Sequence, residues 1–217
     1  MLKAVIFDMD GVIIDSEMEY LKKDLAFVQR KNPQAKLEDL LGMVGASRQD
    51  AWEYVARAVH NGQTWKELRD EYRQENQAAI PNIDYRQIYR SEVTGILDFI
   101  KSKGLAIALA SSTHLELILH VLEVNQIRDY FEVVVTGAQF KRSKPDPEIY
   151  HYTARQLGAA ESECLVIEDS TFGITAASRA GMTIAALIDL RFHFDQSLAD
   201  YQMERLAEIP GIVESLL

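Results

Sequence analysis

Residues 1–11 read Met1-Leu-Lys-Ala-Val-Ile-Phe-Asp-Met-Asp-Gly11, and this stretch decides the fold. Ala4 to Phe7 is a short apolar run rich in β-branched residues, the pattern of a strand buried on both faces. It stops at Asp8-Met9-Asp10-Gly11. Two carboxylates therefore stand at the carboxyl end of a strand, where open α/β sheets bind their ligands. Gly11 lets the backbone turn sharply and approach a bound group closely. By itself the stretch also reads as an ordinary turn in which two Asp residues cap local amides. The rest of the chain decides between the two.

Beyond the acidic loop the pattern is helical. Asp15 and Ser16 offer an N-cap for a helix running towards Arg30, with Glu17 and Glu19 in its first turn. Leu37 to Leu41 predicts a short helix, and Gly42 to Gly45 a break. Ser47 caps a helix through Trp52, Val55 and Val59, stopped by Asn61-Gly62. Thr64 caps another through Trp65, Leu68 and Tyr72, stopped near Pro81. Four helices with no strand between them exceed a simple crossover, so residues 15–85 read as an inserted helical domain. From Thr94 helix and strand alternate, the signature of a parallel sheet. Ile96 to Lys103, His114 to Val124, Pro147 to Leu157 and Phe172 to Ala180 predict helices. Leu105 to Ala110, Val133 to Val135 and Leu165 to Ile167 predict strands, with Thr183 to Leu187 as the last. Leu198 to Leu217 adds a helix or two against the core. The expected fold is α/β, a doubly wound parallel sheet of five or six strands formed by residues 1–14 and 86–217.

The composition narrows the function. The chain has 217 residues, 47% of them hydrophobic, and a formal net charge of −10 with no basic block, which argues against nucleic acid or an anionic membrane as partner. Cys164 is the only cysteine, so an internal disulfide is excluded and a reducing compartment fits. No stretch has the length of a membrane-spanning helix, and the first residues start a strand rather than a signal peptide. A soluble, cytoplasmic monomer is the expectation.

The strand ends carry the chemistry. Asp8 and Asp10 follow the first strand and Ser111 the second; Lys144 lies in a loop, and Glu168-Asp169 follows the fourth strand. Right-handed crossovers bring these ends to one edge of the sheet. Taken singly, Ser111-Ser112-Thr113 and Glu168-Asp169-Ser170 could be helix caps, and Lys144 a solvated lysine. Together, four carboxylates repel one another unless a cation sits among them. An all-oxygen donor set favours Mg²⁺ over Zn²⁺, and Mg²⁺ with a phosphate oxygen in its shell is a phosphoryl-transfer site.

FDMDGV, ALASST, SKPDPEIY and VIEDS resemble the four motifs of the haloacid dehalogenase superfamily, and the helical insertion resembles its cap. Within that superfamily the chain is most similar to the β-phosphoglucomutase and small sugar-phosphate phosphatase group. The resemblance implies that Asp8 is the nucleophile forming an aspartyl phosphate. It makes Asp10 the general acid and base, which also offers its backbone carbonyl to Mg²⁺. Ser111 would bind the phosphoryl oxygens, helped by Gly11 and Ser112, and Lys144 would neutralise them and Asp8. Asp8 and Asp169 would ligate Mg²⁺, with Glu168 a direct or water-mediated ligand. Because dehalogenases lack the second Asp, Asp10 argues for phosphate chemistry. Gly45-Ala46-Ser47-Arg48-Gln49-Asp50 resembles a mutase segment whose arginine grips the substrate's second phosphate, a role available to Arg48.

The expected function is therefore Mg²⁺-dependent hydrolysis of a small phosphate monoester, a sugar phosphate first. A phosphosugar mutase is the alternative. Tyr20 stands where many relatives have histidine, and Leu68 to Asn76 offers no clear counterpart of the mutase's cap lysine, which favours hydrolysis. An aspartate-phosphorylated receiver would share the acidic pair, hydroxyl and lysine, but its acceptor lies on a middle strand and it lacks such an insertion. A catalytically dead binding protein conflicts with the intact Asp8, Asp10, Lys144 and Asp169. The five histidines fall on separate elements without metal-ligand spacing, and Cys164 and the two tryptophans read as core.

Overall fold

The computed structural model describes residues 1–46, 48–76 and 81–217, with Arg48 described by its main chain alone. Ser47, expected as a helix cap, and residues 77–80 lie outside the described residues. The chain divides into two units. Met1–Asp15, Asp84–Asp189 and Phe194–Leu217 form an α/β unit, and Ser16–Ile83 form a helical unit with which Leu190–His193 group.

In the α/β unit, six strands pair in one parallel sheet: β1 (Ala4–Phe7), β2 (Ala106–Ser111), β3 (Val133–Thr136), β4 (Cys164–Glu168), β5 (Thr183–Leu187) and β6 (Tyr201–Met203). Their spatial order is β3-β2-β1-β4-β5-β6. The chain steps outward from β1 to β3, then returns to the other side of β1, so the direction of winding reverses between β1 and β4. Ligand crevices form at such switch points, at the carboxyl ends of the strands. The register places Phe7 beside Ile167, so Asp8 and Glu168 end neighbouring strands.

Side-chain alternation along the strands builds two buried faces. One carries Ala4, Ile6, Ala108, Ala110, Cys164 and Val166, and is covered by α6 (Glu148–Leu157) and α7 (Thr171–Arg179) through Ile149, Tyr150, Ile174 and Ala177. The other carries Val5 and Phe7, with Phe7 edge-on to Phe131 at 6.4 Å between ring centres. There α4 (Glu92–Ser102) packs on β2 and on α8 (Ile209–Leu216), while α5 (Leu115–Val124) packs on β3. Helices on both faces explain why the strands read as continuous apolar runs.

In the α/β unit two expectations need correction. Thr183 to Leu187 is not the last strand, because Tyr201–Met203 adds β6 at the sheet edge, in register with Ala185–Leu187. Three residues are too few to show a period, so only the pairing reveals them. The helix expected from Ile96 starts at Glu92, because Val93 joins Ile96, Leu97 and Ile100 in one buried stripe.

The helical unit holds α1 (Glu17–Gln29), α2 (Arg48–Val59) and α3 (Trp65–Glu75), with two short 3₁₀ turns at Leu37–Asp39 and Leu41–Met43. Gly42 lies within the second turn rather than in a break, its Cα pressed against the Tyr54 ring. Thr64 and Glu67 form a reciprocal capping box at the start of α3. Phe27, Trp52 and Tyr72, one from each helix, meet edge to face.

Candidate active site

The reversal point gathers the strand-end residues. Asp8 continues the ladder past β1, its N–H donating to the Ile167 carbonyl at 2.9 Å. Its carboxylate is buried and accepts at Oδ1 from Lys144 Nζ at 2.6 Å. Lys144 also donates to Glu168 Oε1 at 2.7 Å and to the Ala110 carbonyl at 2.9 Å. An ammonium has three N–H bonds, and these three acceptors take them all. Lys144 is therefore a buried, immobilised charge between β1, β2 and β4.

Glu168 is surrounded by donors. Oε1 receives Lys144 and, at 3.0 Å, the Tyr150 hydroxyl. Oε2 receives the N–H groups of Asp169 and Ser170 at 3.0 and 3.2 Å and the Ser170 hydroxyl at 3.1 Å. The cause is alternation: Glu168 shares a strand face with Cys164 and Val166, so it points into the layer beneath α6 and α7. A Cβ built on Gly173 of α7 would stand 1.6 Å from Oε1, so only glycine leaves room for this carboxylate. Asp169, one residue further, is past the strand. Its carboxylate lies against Gly11, where a Cβ would come within 2.0 Å of Oδ2. Gly11 also has φ +78°, the left-handed region glycine favours.

Three carboxylate oxygens, one each from Asp8, Glu168 and Asp169, lie within 4.8 Å of one another. Burial, above all, pushes the Asp8 carboxyl up to about 8; Glu168 and Asp10 add to the rise and Lys144 opposes it. Burial works equally against the Lys144 charge, but Asp8 and Glu168 outweigh it and hold the ammonium well above the usual lysine range. Burial would also raise Glu168, yet Lys144, the Ser170 amide and Tyr150 hold it below the usual carboxylate range. One lysine thus keeps one neighbour ionised and leaves Asp8 short of compensating charge. A hard divalent cation would supply it, and the donors present, all oxygen, fit Mg²⁺. Of the three, Asp8 and Asp169 suit direct ligation, because the lone pairs of Glu168 are already engaged by five donors.

The Asp10 carboxylate is outside that cluster among the described residues. Its Oδ2 accepts from the Thr113 hydroxyl at 2.7 Å. Thr113 is fixed in turn: its N–H donates to Ser111 Oγ at 3.1 Å, and its carbonyl accepts from Thr136 Oγ1 at 2.6 Å. Ser111 is buried at the carboxyl end of β2, whereas Ser112 pairs its hydroxyl with Ser143 at 2.9 Å. The seryl-threonyl stretch does not cap α5, whose N-cap is His114. Where the chain leaves and re-enters the unit, Ile14 and Tyr89 form an antiparallel bridge. Next to it, Arg90 Nε donates to the Gly11 carbonyl at 3.1 Å, tying the acidic loop to the returning chain. The Arg48 side chain lies outside the described residues.

Asp8, Asp10, Gly11, Ser111, Lys144, Glu168 and Asp169 are thus brought to one edge of the sheet. Sequence reasoning missed Thr113, Tyr150, Gly173 and Arg90, which orient these groups. Tyr150 stands within the SKPDPEIY segment, but its tilt towards Glu168 becomes visible only when α6 lies on the sheet.

The sequence profile of the haloacid dehalogenase-like hydrolases matches residues 5–187. A phosphorylated carbohydrates phosphatase from Thermotoga maritima is 31% identical over 185 residues, 83% of this chain and 82% of that protein. Hexitol phosphatase B of Escherichia coli K12 is 29% identical over 215 residues, 95% of this chain and 93% of that one. A solved Thermotoga maritima structure, provisionally assigned as a β-phosphoglucomutase, superposes with a TM-score of 0.76 at 26% identity over 100% of both chains.

Proposed function

This chain belongs to the haloacid dehalogenase-like hydrolases, and from that membership we propose that it is a Mg²⁺-dependent phosphatase of small phosphorylated sugars or polyols. The observation that carries the reading is the buried Lys144, bonded to both Asp8 and Glu168 beside a third acidic residue, Asp169.

Asp8 attacks the phosphorus, forming an O–P bond as the bond to the leaving oxygen breaks. Asp10, its carboxyl oriented by Thr113, gives a proton to that oxygen, and the alcohol departs. Asp10 then takes a proton from a water molecule that attacks the aspartyl phosphate, freeing inorganic phosphate and restoring Asp8. Lys144 steadies the negative charge on Asp8 and on the phosphoryl oxygens, and Ser111 contributes a hydroxyl donor at the end of β2. Asp8, Asp169 and the Asp10 carbonyl would hold Mg²⁺, which when bound neutralises phosphoryl charge. Glu168 acts as the fixed counter-charge of Lys144.

Phosphorus NMR tests the proposal. The protein with Mg²⁺ is incubated with a hexitol 6-phosphate, and separately with β-glucose 1-phosphate plus a trace of the 1,6-bisphosphate. Inorganic phosphate should accumulate, and Asp8→Asn should slow its release about 10⁴-fold or more while the fold is kept. Glucose 6-phosphate accumulating instead would replace the phosphatase reading with a mutase. Full activity in Asp8→Asn would remove the nucleophile assignment.

A further inference from the structure

Gln196 lies between β5 and β6, where the sequence has no periodic pattern, yet its side chain is buried. Its single amide nitrogen donates twice, to the Asp169 carbonyl at 2.6 Å and to the Leu187 carbonyl at 2.8 Å. Both carbonyls lie beyond the last rung of the β4–β5 ladder, which pairs Glu168 with Ala186. Gln196 thus continues the ladder with a side chain where the backbones part.

The turn that presents it is fastened on both sides. The Asp195 N–H donates to Thr171 Oγ1 at 2.7 Å, two residues past Asp169. The Asp195 carboxylate accepts from the Ser197 N–H at 3.0 Å, and the Gln196 carbonyl accepts from the Ala199 N–H at 3.0 Å. Asp169 is therefore bracketed, by Gln196 at its own carbonyl and by Asp195 at the first turn of α7. Its carboxylate has little room to move, because it already rests against the Cα of Gly11.

We infer that Gln196 is the positioning residue of Asp169: by holding the Asp169 peptide it aims the carboxylate at the Asp8 cluster and sets the affinity of the site for Mg²⁺. This rests on the Mg²⁺ site proposed above. Groups behind a metal ligand typically change affinity about tenfold or more when removed. A generic stability role would lower the melting temperature without moving that affinity.

The test is calorimetric titration of Mg²⁺ into the full chain, with thermal melts alongside. Wild type is titrated first; if it takes up no Mg²⁺, the Mg²⁺ reading fails and this inference with it. Gln196→Met keeps the size and removes both donors, and should weaken Mg²⁺ about tenfold. Gln196→Asn keeps an amide one methylene shorter, should fall between the two, and carries the test alone if the Met variant does not fold. Asn125→Ala is the matched control, because Asn125 also donates from one amide to two carbonyls, Tyr85 at 3.3 Å and Val121 at 2.9 Å. It should lower the melting temperature and leave Mg²⁺ affinity unchanged. Wild-type affinity in the Gln196 variants, or an equal loss in Asn125→Ala, would overturn the assignment.

Discussion

The α/β unit and the helical unit handle charge in opposite ways. In the α/β unit Lys144, Asp8 and Glu168 are withdrawn from water, and each is held by named partners on several strands and helices. Among the described residues of the helical unit, Arg30 pairs with Glu75 at the surface, the half-buried Lys31 pairs with Glu71, and Lys23 lies 5.9 Å from the Tyr72 ring centre. Buried charges are costly to leave unpaired, whereas exposed pairs contribute little. Each substitution should therefore have a far larger effect in the first unit than in the second.

The largest effect on stability should come from Lys144→Met. It leaves Asp8 and Glu168 buried without their cation and should cost about 3 to 5 kcal/mol in urea unfolding, with turnover lost. A loss below 1 kcal/mol would show that the two units do not differ as described. Gly173→Ala comes next. Its methyl group would displace a Glu168 carboxylate held by five donors, costing about 1 to 3 kcal/mol and moving Lys144 with it. Turnover should fall more than the melting temperature implies.

Among the described residues of the helical unit, Asp24 runs against this pattern and sharpens the contrast. Burial pushes Asp24 up to about 6, opposed by a hydrogen bond from Tyr72 and by Lys23. A carboxyl raised on folding binds its proton more tightly in the folded state. Its contribution is thus complete below the ordinary value of 3.8 and is lost as pH rises through about 6. Asp24→Asn should remove that fall and raise stability at pH 7 by about 1 kcal/mol, with no gain at pH 3.5. Melting curves of the two proteins at both pH values check the sign. Arg30→Ala should be smallest, about 0.5 kcal/mol or less, with phosphate release unchanged.

How far the sequence could be read follows the same division. The apolar runs of β1, β2, β4 and β5 and the polar residues that end β1, β2 and β4 are local features, so the parallel sheet was legible, and Asp8, Asp10, Ser111, Lys144 and Asp169 stood out together as a set though not singly. β6 was not legible, since three residues at an edge carry no period and only pairing with β5 defines them. Glu168 was visible as an acid at a strand end but not as the partner of Lys144, because its neighbours Tyr150 and Gly173 are distant in sequence.

The sequence by itself determined which chemical groups are present and in what order along the chain, because hydrophobic periodicity and strand-end polarity are written locally. Only the tertiary structure decided which groups face each other. Side-chain alternation sent Glu168 under α6 and α7, and the pairing of β4 with β1 set Asp169 against Gly11. Burial then made Lys144 a fixed charge and pushed the Asp8 carboxyl up. Such shifts arise from desolvation and from neighbours far apart in sequence, so they exist only once the chain has folded.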